Sequence, residues 1–317
     1  MLPFATLLGW IGRAISAADG YRIESIHLRD PYVLPDPVSK TYYLYGTGWP
    51  VQDEEGPGFV AYRSSDLRRW EGPFVVFKRT PEFWADREYW APEVHFYRGR
   101  YYLFGSFKAE LAMRGTQILV ADSPLGPFAP LWKRPVTPRE WECLDGTLYL
   151  DPEGRPWIVF CHEWVQMYDG EMCALPLTPD LQLPAGVPRY LFTASQAPWV
   201  RPFYHEGKQG YVTDGPFLYT GSDGTLWMIW SSFSEGGYTV GVARSPSGDI
   251  LGPWEQLPEP LFSDHGGHAM IFTAFDGTEY LILHQPNSGG PPVPTVFEFH
   301  EGAGRLELRR PERLLNP

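Results

Sequence analysis

The 317-residue chain repeats one pattern five times, and this repetition constrains its fold more than any other feature. Each unit carries an acidic or His-bearing turn, an aromatic strand, a Gly or polar turn, and a second strand. Arg29-Asp30-Pro31-Tyr32-Val33-Leu34 leads into Thr41-Tyr42-Tyr43-Leu44-Tyr45-Gly46, and Trp90-Ala91-Pro92-Glu93-Val94 into Arg100-Tyr101-Tyr102-Leu103-Phe104-Gly105. Leu144-Asp145-Gly146-Thr147 precedes Pro156-Trp157-Ile158-Val159-Phe160, and Thr213-Asp214-Gly215-Pro216 precedes Thr225-Leu226-Trp227-Met228-Ile229-Trp230. Gly267-His268-Ala269-Met270 precedes Glu279-Tyr280-Leu281-Ile282-Leu283. Three units also share a third strand (Val60–Ser64, Leu119–Ser123, Val242–Pro246) that runs into a Gly-Pro-aromatic segment. A spacing of roughly 50–70 residues suits a four-stranded blade with variable loops. The predicted fold is an all-β, five-bladed β-propeller. A two-sheet sandwich would not explain five matched units.

Composition agrees with strands. Aromatic residues make up 16% of the chain, and Gly and Pro number 33 each, the mixture expected of strands broken by tight turns. The net charge of −12 disfavours a nucleic-acid partner, which would need clustered Lys and Arg. No run approaches 18 uninterrupted apolar residues, so no membrane partner is expected. Cys143, Cys161 and Cys173 form no metal-type spacing and read as reduced, buried thiols. The propeller is expected to occupy residues 21–317 as a single catalytic domain. In residues 1–20, Phe4, Leu7, Leu8, Ile11 and Ile15 fall at helical spacing, which predicts a short docking helix. Ser16-Ala17-Ala18 loosely resembles a signal cleavage site, so cytoplasmic and secreted forms both stay open.

The innermost strand of each propeller blade lines the central channel, so residues at its start face one another. Here they read Asp30, Glu93, Asp145, Asp214 and His268. Asp-Pro and Asp-Gly also make turns, but recurrence at matched positions favours a use for the set. Carboxylates crowded into one funnel repel each other unless something exploits them. Glycoside hydrolysis does so: one carboxylate activates water while a protonated one donates to the leaving oxygen. A third acid can raise the donor's pKa. Trp49, Trp84, Trp90 and Trp230 are candidate platforms for sugar rings, although a tryptophan taken singly is more often core.

These motifs in this order, Arg29-Asp30-Pro31, Trp90-Ala91-Pro92-Glu93, Asp145-Gly146 and Gly267-His268, resemble glycoside hydrolase family 43 across the chain after residue 20. The resemblance implies an inverting hydrolase acting on pentose-containing glycans such as arabinan, arabinoxylan or xylan fragments. It implies Asp30 as general base and Asp145 as the residue that tunes and orients the acid. The family's acid is usually a Glu before Gly-Pro in the fourth blade, whereas this chain has Asp214, one methylene shorter. Glu163, at the end of a blade-three strand, is the alternative acid, and Glu142 a third. Glu93, Trp90, Trp49, Trp230 and Arg29 are expected to contact substrate. The chemistry needs no cofactor, but His268 matches a position near a channel calcium or sodium ion.

A non-catalytic sugar-binding propeller and a glycoside phosphorylase are the rival readings. The second needs a basic pocket for phosphate, for which Arg114, Arg139 and Arg201 are available if they lie in loops. Long insertions at 52–58 and 185–210 suit a closed pocket, hence exo action as an α-L-arabinofuranosidase or β-xylosidase.

Overall fold

The computed structural model describes residues 20–48, 57–205, 207–302 and 304–311. The candidate helix in residues 1–19 and Trp49 lie outside the described residues. The described residues contain five four-stranded sheets, each built from strands consecutive in the chain and paired antiparallel. Blade one comprises Leu28–Asp36, Thr41–Gly48, Gly58–Ser64 and Glu71–Lys78. Blade two comprises Arg87–Tyr97, Arg100–Ala109, Ala112–Ala121 and Ala129–Pro130. Blade three comprises Cys143–Leu150, Pro156–His162, Glu171–Pro176 and Arg189–Thr193. Blade four comprises Asp214–Thr220, Leu226–Ser234, Gly237–Ser245 and Glu255–Gln256, and blade five Gly267–Thr273, Glu279–Gln285, Val293–Gly302 and Arg305–Arg309. A hairpin, Phe203–His205 with Lys208–Gly210, stands between blades three and four.

The first strands touch in sequence around a ring, with blade five returning to blade one. Among the described residues, no strand is shared across that last seam. It is closed by the Leu28 N–H donating to the Pro292 carbonyl at 3.1 Å and by Arg29 bonding Asn287. The hydrophobic effect holds the seams together, because each sheet is apolar on both faces and must bury both against its neighbours. Between blades one and two, for example, Phe59, Phe77, Phe83, Tyr89 and Phe107 pack ring against ring. Trp230 belongs to such a seam. It is fully buried against Phe192 and Trp199, so it is core rather than the expected sugar platform. The three cysteines are free and buried.

Every first strand is bulged near its start. At each bulge one residue takes a left-handed backbone: Asp30 (φ 51°), Ala91 (φ 44°), Asp145 (φ 54°), Gly215 (φ 48°) and His268 (φ 53°). Bulges re-aim side chains, and non-glycine residues in this region cost energy that recurs at functional sites. This corrects the alignment of the repeat. The equivalents of Asp30, Asp145 and His268 are Ala91 and Gly215. Glu93 lies two residues further along its strand, and Asp214 one residue earlier.

Candidate active site

Asp30, Asp145 and His268, although distant in sequence, meet at the head of the channel. His268 Nδ1 lies 3.4 Å from Asp30 and 3.7 Å from Asp145. His284, from the second strand of blade five, lies 3.5 Å from Asp30. Asp145 Oδ2 accepts the Gly215 N–H at 2.9 Å. Asp214 joins from the neighbouring position, its Oδ2 accepting the Tyr238 hydroxyl at 3.0 Å. Tyr238 is buried, its ring stacked on His284 and packed against Phe233.

These surroundings pull the carboxyls apart in acidity. Burial alone would push Asp30 up, but His268, His284 and Arg29 outweigh it and hold the carboxyl below its usual range. Asp145 is pushed up to about 7, first by burial and then by the charges of Asp214 and Asp30, against the pull of His268. Burial likewise raises Asp214, with His268 and the Tyr238 hydroxyl opposing. Burial works against the charged form of His268, yet Asp30, Asp145 and Asp214 together raise its pKa. Burial lowers His284 to about 4 despite Asp30. His284 is therefore neutral near pH 7, consistent with Nδ1 accepting the Asp30 N–H at 3.1 Å while Nε2 faces Asn287 Oδ1 at 3.2 Å.

The other expected residues fall into three groups. Glu93 is buried deeper in the channel, where its Oε2 lies 3.2 Å from His95, which in turn meets the Tyr32 hydroxyl at 3.2 Å. Arg29 spends its guanidinium on Asn287, at 2.9 and 2.6 Å. Trp90 and Glu163 belong to a cluster around Arg114. The guanidinium lies 4.5 Å from the centre of the Trp90 ring and pairs with Glu88 and Glu163, with Glu142 at 4.0 Å. Glu142 also binds Lys108 at 2.6 Å. Burial raises Glu142 but Lys108 and Arg114 bring it below its usual value.

A carboxylate fastened to a guanidinium is a poor proton donor, which places Glu163 and Glu142 among structural ion pairs rather than donors. Arg114 sits within a strand, not in a loop, and with Arg201 paired to Glu235 the phosphate pocket loses two of its three candidate residues. Trp84 is half-buried and donates its indole N–H to Gln117.

Among the described residues, no group of three or more His, Cys, Asp or Glu side chains is arranged to hold a metal. Calcium takes six to eight oxygen ligands, whereas His268 turns one nitrogen to two carboxylates that favour its protonated form. A calcium or sodium ion beside His268 would therefore have to take most of its ligands from water.

Tyr238, His284 and Asn287 were not singled out from the sequence, and Arg114 was named there only as a candidate phosphate ligand. Only Tyr238 and His284 carried a signal, as polar aromatic residues at the funnel ends of strands.

A channel that opens on carboxyls of opposed acidity presents the pair of groups that glycoside hydrolysis uses. Residues 23–300 match the model of Glycosyl hydrolases family 43, and the chain belongs to that family. It is accordingly an inverting glycoside hydrolase. An endo-arabinase from Bacteroides thetaiotaomicron VPI-5482 superposes with a TM-score of 0.85 at 43% identity, covering 90% of this chain and 99% of that one. The extracellular exo-α-(1→5)-L-arabinofuranosidase ArbA of Cellvibrio japonicus is 22% identical over 294 residues, 82% of this chain and 79% of its own. The extracellular endo-α-(1→5)-L-arabinanase 1 of Bacillus subtilis is 25% identical over 152 residues, 43% of this chain and 44% of its own.

Proposed function

We propose that the chain hydrolyses α-L-arabinofuranosyl bonds of arabinan-type glycans, removing sugar from chain ends. The observation that carries the chemistry is the split among neighbouring carboxyls, with Asp30 held ionised and Asp145 and Asp214 held toward their protonated forms. Asp30 would take a proton from water as that water attacks the anomeric carbon. Asp214, half-buried and therefore the more open of the acid pair, would protonate the departing oxygen from the opposite side, giving inversion. Asp145, its carboxyl raised by burial and by the charge of Asp214, would hold a proton beside the donor and orient it. Trp90 has one face covered by Arg114, which leaves its other face for a sugar.

The sugar is inferred from relatives that are described as acting on arabinan or arabinofuranosides. Exo action is supported by the hairpin beside the acid. Its Phe203 stacks on Phe233 at 4.0 Å, and Phe233 packs on Tyr238, the partner of Asp214, which makes a wall on that side. Endo action is the second reading, favoured by the 43% identity to a chain described as an endo-arabinase.

Product analysis on linear arabinan separates them. The proposal expects arabinose from the first time point, with the released anomer inverted by NMR and all turnover lost in Asp30→Asn. Early oligosaccharides would establish endo action, and turnover of aryl β-xyloside alone would overturn the sugar.

A further inference from the structure

The five left-handed residues share a second feature. Their backbone N–H groups point across the seam toward the preceding blade, and buried donors need acceptors. At four seams a side chain of that blade supplies one. Thr47 Oγ1 accepts from Ala91 at 2.7 Å, Ser106 Oγ from Asp145 at 2.9 Å, Ser231 Oγ from His268 at 2.8 Å, and His284 Nδ1 from Asp30 at 3.1 Å. All four acceptors occupy one repeat position. Each lies in a second strand, paired with the residue just before its own blade's left-handed residue: Thr47 with Arg29, Ser106 with Trp90, Ser231 with Asp214 and His284 with Gly267.

At the fifth seam the same position, paired with Leu144, is Cys161. A thiol is a weak acceptor, and the Gly215 N–H does not go to it. It goes to Asp145 Oδ2 at 2.9 Å.

We propose that Cys161 is a positioning residue for the reaction: by withholding the acceptor found at the other seams, it leaves the Gly215 N–H to fasten the Asp145 carboxyl across the seam beside Asp214. The proposal rests on the reading that places Asp145 in the catalytic set. A serine at this position would put a hydroxyl where three of the other blades carry one, and it would compete for the N–H. The freed carboxylate would then turn toward His268, 3.7 Å away. Displacements of this size at a reacting group are costly. Cys161 is fully buried among Leu144, Val159, Met172 and Ala174, with the Thr213 side chain hydrogen-bonded to its sulfur, so loss of the thiol leaves a small gap and no new acceptor for the Gly215 N–H.

The experiment compares kcat and KM for an aryl arabinofuranoside in the parent, Cys161→Ser, Cys161→Ala and Asp145→Asn, with thermal melting of each. Cys161→Ser should lose about tenfold in kcat with KM within about twofold, a drop expected of a misplaced catalytic group. Cys161→Ala, the larger loss of volume, brings no new acceptor for the Gly215 N–H and should fall less than about threefold. That inverted order is what a merely structural role would not produce. Equal effects, or a serine variant indistinguishable from the parent, would overturn the proposal. If the serine variant does not fold, the alanine arm decides: a large fall in kcat at normal melting temperature refutes it, and near-parent turnover upholds it. Full activity in Asp145→Asn would instead remove Asp145 from the catalytic set, so the two failures are told apart.

Discussion

Replacing Asp145 with asparagine should make the protein more stable than its parent at pH 8 while removing most of its activity. The reasoning follows the linkage between protonation and folding. Asp145 is 6% exposed, and its carboxyl ionises near 7 in the folded protein against 3.8 in a model peptide. A group with a raised folded pKa stabilises fully below its unfolded pKa, and that contribution is lost as pH rises through the folded value. At 1.36 kcal/mol per unit, the span from 3.8 to about 7 corresponds to about 4 kcal/mol. Sharing of the proton with Asp214 trims this to about 2–4 kcal/mol. Asparagine keeps an oxygen to accept the Gly215 N–H but cannot ionise. The difference in unfolding free energy between variant and parent should therefore rise by about 2–4 kcal/mol between pH 4 and pH 8. Urea denaturation at half-unit pH intervals measures it. Parallel stability curves over that window would refute the claim that Asp145 ionises at a cost.

Two further perturbations test the neighbours. Tyr238→Phe removes the hydroxyl that favours the ionised form of Asp214. The alkaline limb of kcat/KM should move up in pH, with kcat about three- to tenfold lower for the loss of one hydrogen bond to a charged group. An unmoved limb would show that Tyr238 does not act on the donor. Arg114→Met strands Glu88, Glu142 and Glu163 without their shared cation and should cost about 3–5 kcal/mol in urea denaturation. Adding Glu163→Gln to that variant should recover part of the loss, and no recovery would disprove the coupling.

The blades were legible because the period, the aromatic strands and the Gly-Pro turns are local signals that recur. The alignment within the repeat was harder. Asp30-Pro31, Ala91-Pro92 and Gly215-Pro216 occupy one place in the bulge, but attention to carboxylates drew the match to Glu93 and Asp214 instead. Each second strand was followed as far as Gly46, Gly105, Phe160, Trp230 and Leu283. The residues that accept an N–H across a seam are the next ones along, Thr47, Ser106, Ser231 and His284, with Cys161 in the same place at the fifth seam. Their role depends on an N–H from another blade, a partner 37–44 residues downstream or, for His284, 254 residues away at the opposite end of the chain, and no local pattern announces it. Trp230 shows the converse. Nothing in its immediate sequence separates a buried seam residue from an exposed ring, and only the packing of the Leu226–Ser234 strand against Phe192 and Trp199 does so.

The substitution of Asp214 for the expected Glu becomes intelligible from its surroundings. Asp214 immediately precedes the left-handed Gly215, where an added Cβ would come within 2.9 Å of the His268 ring. The backbone is thus tight against the imidazole, and Gly215 fixes where the acid's side chain begins. Tyr238 cannot retreat, since its ring lies between Phe233 and His284 in a buried site. The distance from the Asp214 backbone to that hydroxyl is spanned by an aspartate with a 3.0 Å hydrogen bond. A glutamate would have to fold back or give up the bond. The shorter acid and the tyrosine therefore read as one unit: the methylene missing from the donor is matched by a hydroxyl that holds its carboxyl still, and the remaining oxygen is left for the proton the reaction requires.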